Sequence, residues 1–173
     1  MKAFRDTDAV LRWAYALPQQ PICKVSDAQR AMAGASATNK SADGDLTIQD
    51  QHAQAAMIRG HVEGLPELLS AYGWAAYSWE DRERKAGNHV LDNHLATSTG
   101  IRNNRMRFLL MRRHIEFGQA RCMSCERIAE KIGVHKRTIQ RYEPTVKSAM
   151  QAVTARFFDE LDPYFARAGL ITL

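Results

Sequence analysis

A chain of 173 residues is long enough for one domain with a substantial core, or a small domain with appendages, and too short for two large domains. A hydrophobic content of 45% with 25% charged residues is ordinary for a soluble globular protein, and no apolar run approaches membrane-spanning length. The opening MKAFRDTDAVLRWAYA mixes acids among its apolar residues and has no secretory apolar block, and three cysteines suit a reducing compartment, so the expected location is cytoplasmic.

In chain order, Asp8 can cap a short helix to Leu17 with Val10, Leu11 and Ala14 on one side, ended by Pro18 and Pro21. After Ile22 to Val25, a second short helix can begin at Ser26 and stop before Gly34. Residues 34–45, GASATNKSADGD, offer almost nothing to bury and read as a loop or linker. This break sets off residues 1–46 from a helical support region over 47–100 and a DNA-binding region over 101–173.

Thr47 and Asp50 form a T-x-x-D capping signature for a helix over 48–63, in which Ile48, His52, Ala55, Ile58 and Val62 keep helical spacing. Pro66 opens a further helix with Leu68, Leu69, Tyr72, Ala76 and Trp79 as its stripe, the charged run Glu80 to Lys85 as its solvated end and Gly87 as its stop. A short helix from about Asn88 to Ala96 then leads to a turn at 97–100. Asn103 or Asn104 can cap the helix that carries Met106, Leu109 and Leu110 and ends before Gly118.

The stretch CERIAEKIGVHKRTIQRYE, Cys125 to Glu143, reads as two short helices joined by a tight turn. Ser124 caps the first, Glu126 sits where the helix dipole favours an acid, and Ile128, Ala129 and Ile132 share a face. Gly133 stops it, Val134 fills the angle, and a second helix starts at about Lys136 with Ile139 and Tyr142 turned inward. Lys136, Arg137, Gln140 and Arg141 then share the outer face, at the width a DNA groove admits. Arg137 and Gln140 have the geometry to read guanine and adenine edges, while Lys136, Arg141, Arg112 and Arg113 suit phosphates, and His135 in the turn joins the DNA-contacting set. The competing reading is an ordinary helical hairpin with basic decoration. Against it, residues 101–147 hold twelve Lys or Arg and four Glu, so this segment is net +8 and the remainder, from an overall +5, is net −3.

From Pro144, the residues Val146, Ala149, Met150, Val153, Phe157 and Leu161 define a long amphipathic helix bounded by Pro163. Pro144 either starts it anew or kinks a continuation of the preceding helix. Phe157, Phe158, Tyr164 and Phe165 either close the domain's core or meet a second copy in a homodimer, which would then pair through the helix from about Thr145 to Leu161. The fold class is thus all-α: a helical bundle with a C-terminal helix-turn-helix and a long C-terminal amphipathic helix.

The spacing of Ala129, Gly133, Val134, Ile139 and Tyr142, behind a basic first helix, resembles region 4 of bacterial sigma factors and related trihelical DNA-binding domains over roughly the last 70 residues. With the Trp-containing opening helix Leu11 to Ala16, the chain also resembles phage and prophage late-gene antiterminators of the Q type, although it lacks the paired cysteine knuckles that some of them carry. That resemblance implies binding of double-stranded DNA near a late promoter in a bacterial or phage-infected cell, and modification of RNA polymerase so that it passes terminators. Two other classes remain open: a phage terminase small subunit, which would form a ring on DNA, and a helical structural protein that binds none.

Enzymatic chemistry is not expected. The chain has no phosphate-binding glycine loop, no H-E-x-x-H and no G-x-S-x-G, and His89 and His94 lie off a common helical face. No cofactor is implied. Cys122 and Cys125 have the spacing of one zinc knuckle, with His114 or Cys23 as further candidates, but a structural site needs four ligands and only one knuckle is present, so no metal is expected.

Overall fold

The computed structural model describes residues 4–19, 47–115 and 123–172. The expected helix at Ser26, the linker over 34–45, Cys23, Gly118, Arg121 and Cys122 lie outside them. Among the described residues the protein is all-helical, with seven α-helices: α1 (Thr7–Ala16), α2 (Ile48–Glu63), α3 (Glu67–Tyr77), α4 (Asp81–Thr99), α5 (Asn104–Ile115), α6 (Cys125–Ile132) and α7 (Lys136–Arg167). A single 3-10 turn follows α1 at Leu17–Gln19. The chain forms two compact units, one of residues 1–61 with 164–173 and one of residues 62–163.

In the first unit, α1 is capped by Asp6 and not by Asp8: the Asp6 carboxylate accepts from the Ala9 N–H at 2.8 Å. Asp8 instead pairs with Arg12 one turn on, at 2.6 Å. Val10, Leu11 and Ala14 are fully buried, as their spacing predicts. The start of α2 carries the expected capping box, in which the Asp50 N–H donates to the Thr47 hydroxyl oxygen and the Thr47 N–H donates to the Asp50 carboxylate. Gly169, at φ +68°, ends α7, and the Leu170 N–H then donates back to the Phe165 carbonyl at 2.9 Å. The returning chain meets the N-terminus in an isolated parallel bridge between Phe4 and Ile171.

The second unit is built on a close pair, α3 and α4. A Cβ on Gly87 would stand 2.4 Å from the Ala71 carbonyl oxygen, so glycine is what lets the two backbones approach. Gly87 therefore lies inside α4 and stops nothing, which corrects the expected boundary. The charged run from Asp81 likewise begins α4 where it was expected to end α3; α3 stops at Tyr77, and Trp79 projects from the connection at 59% exposure. Ser78 ties this connection down, its hydroxyl donating to Glu83 at 2.5 Å and accepting from the Glu80 N–H. Gly100, in the left-handed region, ends α4, and Asn103 caps α5 by accepting from the Met106 N–H at 2.9 Å.

Helix α7 runs unbroken through both Pro144 and Pro163. This settles the alternatives at Pro144 in favour of continuation, and Pro163 does not bound the far end. Burial outweighs the local cost of proline, about 3 kcal/mol in a helix interior: Val146, Met150, Val153, Phe157 and Leu161 form one buried stripe. Phe157 is fully buried, with Tyr72 edge-on at 5.0 Å and Tyr77 stacked at 6.3 Å. It closes the core of its own unit, and the two open readings for this aromatic resolve toward the core.

Candidate nucleic-acid interface

Local chemistry fixes the turn between α6 and α7. The Ser124 hydroxyl accepts from the Arg127 N–H at 3.3 Å and satisfies one of the orphan donors at the start of α6. At the other end Gly133 adopts φ +76°, ψ +35°, and two successive N–H groups turn back into the helix: Gly133 to Glu130 and Val134 to Ala129. Only a residue without a Cβ reaches that conformation at little cost, so Gly133 specifies where α6 stops. The second helix is capped by the turn itself. His135 Nδ1 accepts from the Arg137 N–H at 3.2 Å, and the His135 carbonyl accepts from Thr138.

Packing then decides which side faces out. Ile128 and Ile139 are fully buried and Ala129 nearly so, which turns the apolar sides of α6 and of the first turns of α7 inward. His135, Lys136, Arg137, Gln140 and Arg141 are all exposed. The expected outer face is therefore present as a face, and its cations are separated by helical steps that place them side by side.

Its electrostatics are partly neutralised. Lys136 donates to Glu126, joining the start of α7 to the start of α6; the bond raises the lysine's pKa and lowers the carboxylate's, and both side chains are exposed. An exposed pair of this kind is worth little in water, so a phosphate can displace the carboxylate at small cost. Arg102, Arg105, Arg127, Lys131 and Lys147 add further exposed cations to the same unit. Arg107 does not. It is 5% exposed and bound to Asp92, so one of the cations counted in the basic segment belongs to the core.

The two arginines of α5 differ from those of α7. Arg112 and Arg113 are half-buried. Arg113 Nη1 donates to the Met123 carbonyl at 2.5 Å, which ties α5 to the entry of α6, and its Nε lies 3.9 Å from Glu143 Oε1 on α7, an ion-pair distance too long for a hydrogen bond. His114 Nε2 approaches the same Glu143 oxygen at 3.6 Å, beyond hydrogen-bond reach. Burial holds the His114 pKa below its usual value, opposed in part by Glu143 and reinforced by Arg113 and Lys147. Sequence reasoning missed this three-helix junction, since no spacing rule relates Arg113 to Met123 or to Glu143.

Cys125, the thiol in the first turn of α6, is free and half-exposed. No group of three or more His, Cys, Asp or Glu side chains arranged to hold a metal occurs among the described residues. None of the described helices is long and apolar enough to cross a membrane. Compared with known proteins, the chain matches no family model and no curated sequence.

Proposed function

We propose that this protein is a sequence-specific double-stranded DNA-binding regulator of transcription that lays the first two turns of α7 in the major groove. One observation carries the reading: Lys136, Arg137, Gln140 and Arg141 are all exposed on one side of a helix whose other side is anchored by the fully buried Ile139. A major groove about 12 Å wide admits a helix, and an exposed Arg and Gln one turn apart can make bidentate contacts to guanine and adenine edges. Lys136, Arg141 and Arg112 then meet phosphates, whose released counterions supply affinity independent of sequence.

In its specific form, carried by the resemblance of Leu11 to Ala16 and of Ile128 to Tyr142, the protein acts as a phage late-gene antiterminator that engages bacterial RNA polymerase. The test begins with a DNA site selected from random sequence. Gln140→Ala and Arg137→Ala should each lose about 1 to 3 kcal/mol at that site and relax preference at one position, while Arg141→Ala should weaken all sequences and lower the salt slope by about one. If both reader variants bind selected and random DNA as the parent does, α7 is not the reader. Transcription through a terminator by purified polymerase tests the antiterminator form, and a ring in light scattering would favour a terminase small subunit.

A further inference from the structure

Within the DNA-binding reading, we infer that Arg113 is a positioning residue that fixes the reading helix through Glu143, and is not itself a phosphate contact. The guanidinium is shared between two elements on either side of the tight turn. Its Nη1 donates to the carbonyl of Met123, the residue before the Ser124 cap of α6, and its Nε faces Glu143, two residues beyond Arg141 on α7. Reaching a phosphate would mean giving up both. Among the described residues Glu143, 23% exposed, would then keep His114 as its remaining ion-pair neighbour, and that imidazole is held toward its neutral form by burial.

The junction also explains how a carboxylate is tolerated one turn from Gln140. A free carboxylate there would repel the DNA backbone. Placed beside Arg113 at ion-pair distance, its charge is instead balanced by a cation of α5. A guanidinium suits this role because its planar fork can hold one donor on a carbonyl while its delocalised charge stays at ion-pair distance from a carboxylate; an ammonium is a single point charge and cannot reproduce the arrangement.

The two roles predict opposite responses to Arg113→Lys. A phosphate contact accepts lysine with little change, whereas a positioning fork does not. Arg113→Lys should therefore keep the parent salt slope but reduce the ratio of selected-site to random-DNA affinity by roughly 5- to 150-fold, the range spanned by loss of one bidentate base contact. Glu143→Gln should reproduce that loss of ratio, and the double variant should lose no more than either single one. The idea is overturned if Arg113→Lys binds as the parent does while Arg113→Gln lowers the salt slope by about one, or if Glu143→Gln tightens binding to all DNA. A thermal-unfolding cycle over Arg113→Gln and Glu143→Gln tests the junction without DNA: non-additive shifts support it and additive shifts overturn it. If the parent shows no salt-dependent DNA binding, the functional reading fails, while the unfolding cycle still decides whether Arg113 and Glu143 are coupled.

Discussion

Asp92 on α4 and Arg107 on α5 form a two-pronged ion pair, with Nε 2.8 Å from Oδ1 and Nη2 2.6 Å from Oδ2. The arginine is 5% exposed, and its remaining donors reach the Ile101 carbonyl and the Asn104 side chain. Each of the three nitrogens donates at least once, which meets the condition under which a buried charge is tolerated. Arg107→Ala should destabilise the protein by about 3 to 5 kcal/mol, because it leaves Asp92 without its partner. Replacing both, Asp92→Leu with Arg107→Met, should recover much of that loss. Urea denaturation of the parent, the single variants and the double variant measures both effects.

Three glycines should respond differently to alanine. At Gly87 the new Cβ would press on the Ala71 carbonyl at 2.4 Å, a backbone atom that cannot swing away, so Gly87→Ala should cost about 1 to 3 kcal/mol despite better helix propensity. At Gly60, inside α2, a Cβ meets nothing within 4 Å, and Gly60→Ala should stabilise by about 0.4 to 1 kcal/mol. Gly133→Ala has the same open space but φ +76°, so it should destabilise by about 1 kcal/mol through backbone strain alone. Thermal midpoints of the three variants order these effects.

Two histidines should make stability fall on mild acidification. Burial lowers the pKa of His114, and burial followed by Arg167 lowers that of His61, whose ring stacks on Tyr164 at 3.5 Å. In the unfolded chain both take up protons near their ordinary value of about 6.5, while the folded protein resists until lower pH. Below about pH 6.5 the unfolded state therefore binds more protons, and stability drops until the folded-state values are passed. The lowered carboxylates of Asp6, Asp81 and Glu126 act only below about pH 5 and do not confuse the window. Melting at about pH 7.5 and about pH 5.5 should show the drop, and His114→Gln and His61→Gln should each make it smaller.

Ile139→Ala should separate folding from reading. The side chain is fully buried beneath the exposed face, so its loss should cost roughly 2 to 5 kcal/mol of stability. Arg137→Ala, at an exposed position, should leave the unfolding free energy within about 0.5 kcal/mol of the parent. A large stability effect at Arg137 would mean that this side chain belongs to the fold.

Where an element's cause lies within a few residues, the sequence made it legible. Ser124, Gly133, Asn103 and the Thr47–Asp50 pair do in the structure what their spacing predicts, because caps and left-handed turns are local events. The outward set Lys136, Arg137, Gln140 and Arg141 follows from helical period and a single buried isoleucine. What was misread depends on partners far along the chain. Gly87 resembles a helix stop until Ala71 is seen across from it. Pro144 left a fresh start and a continuation both open, and the single helix from Lys136 to Arg167 answers that question. Arg107 and Arg113 read as surface cations, because nothing in the spacing announces Asp92, Met123 or Glu143 as their partners.

The continuity of α7 sets a limit on dissection. The part that carries Lys136 to Arg141 ends within a turn at Pro144, a length that would not hold helical order as a free peptide in water. Its order is cooperative with the buried turns from Val146 onward, so the outer face and the core share one folding event. A fragment cut before Pro144 should present these side chains as an ensemble, and an experimenter seeking the smallest working piece must carry the long helix with it.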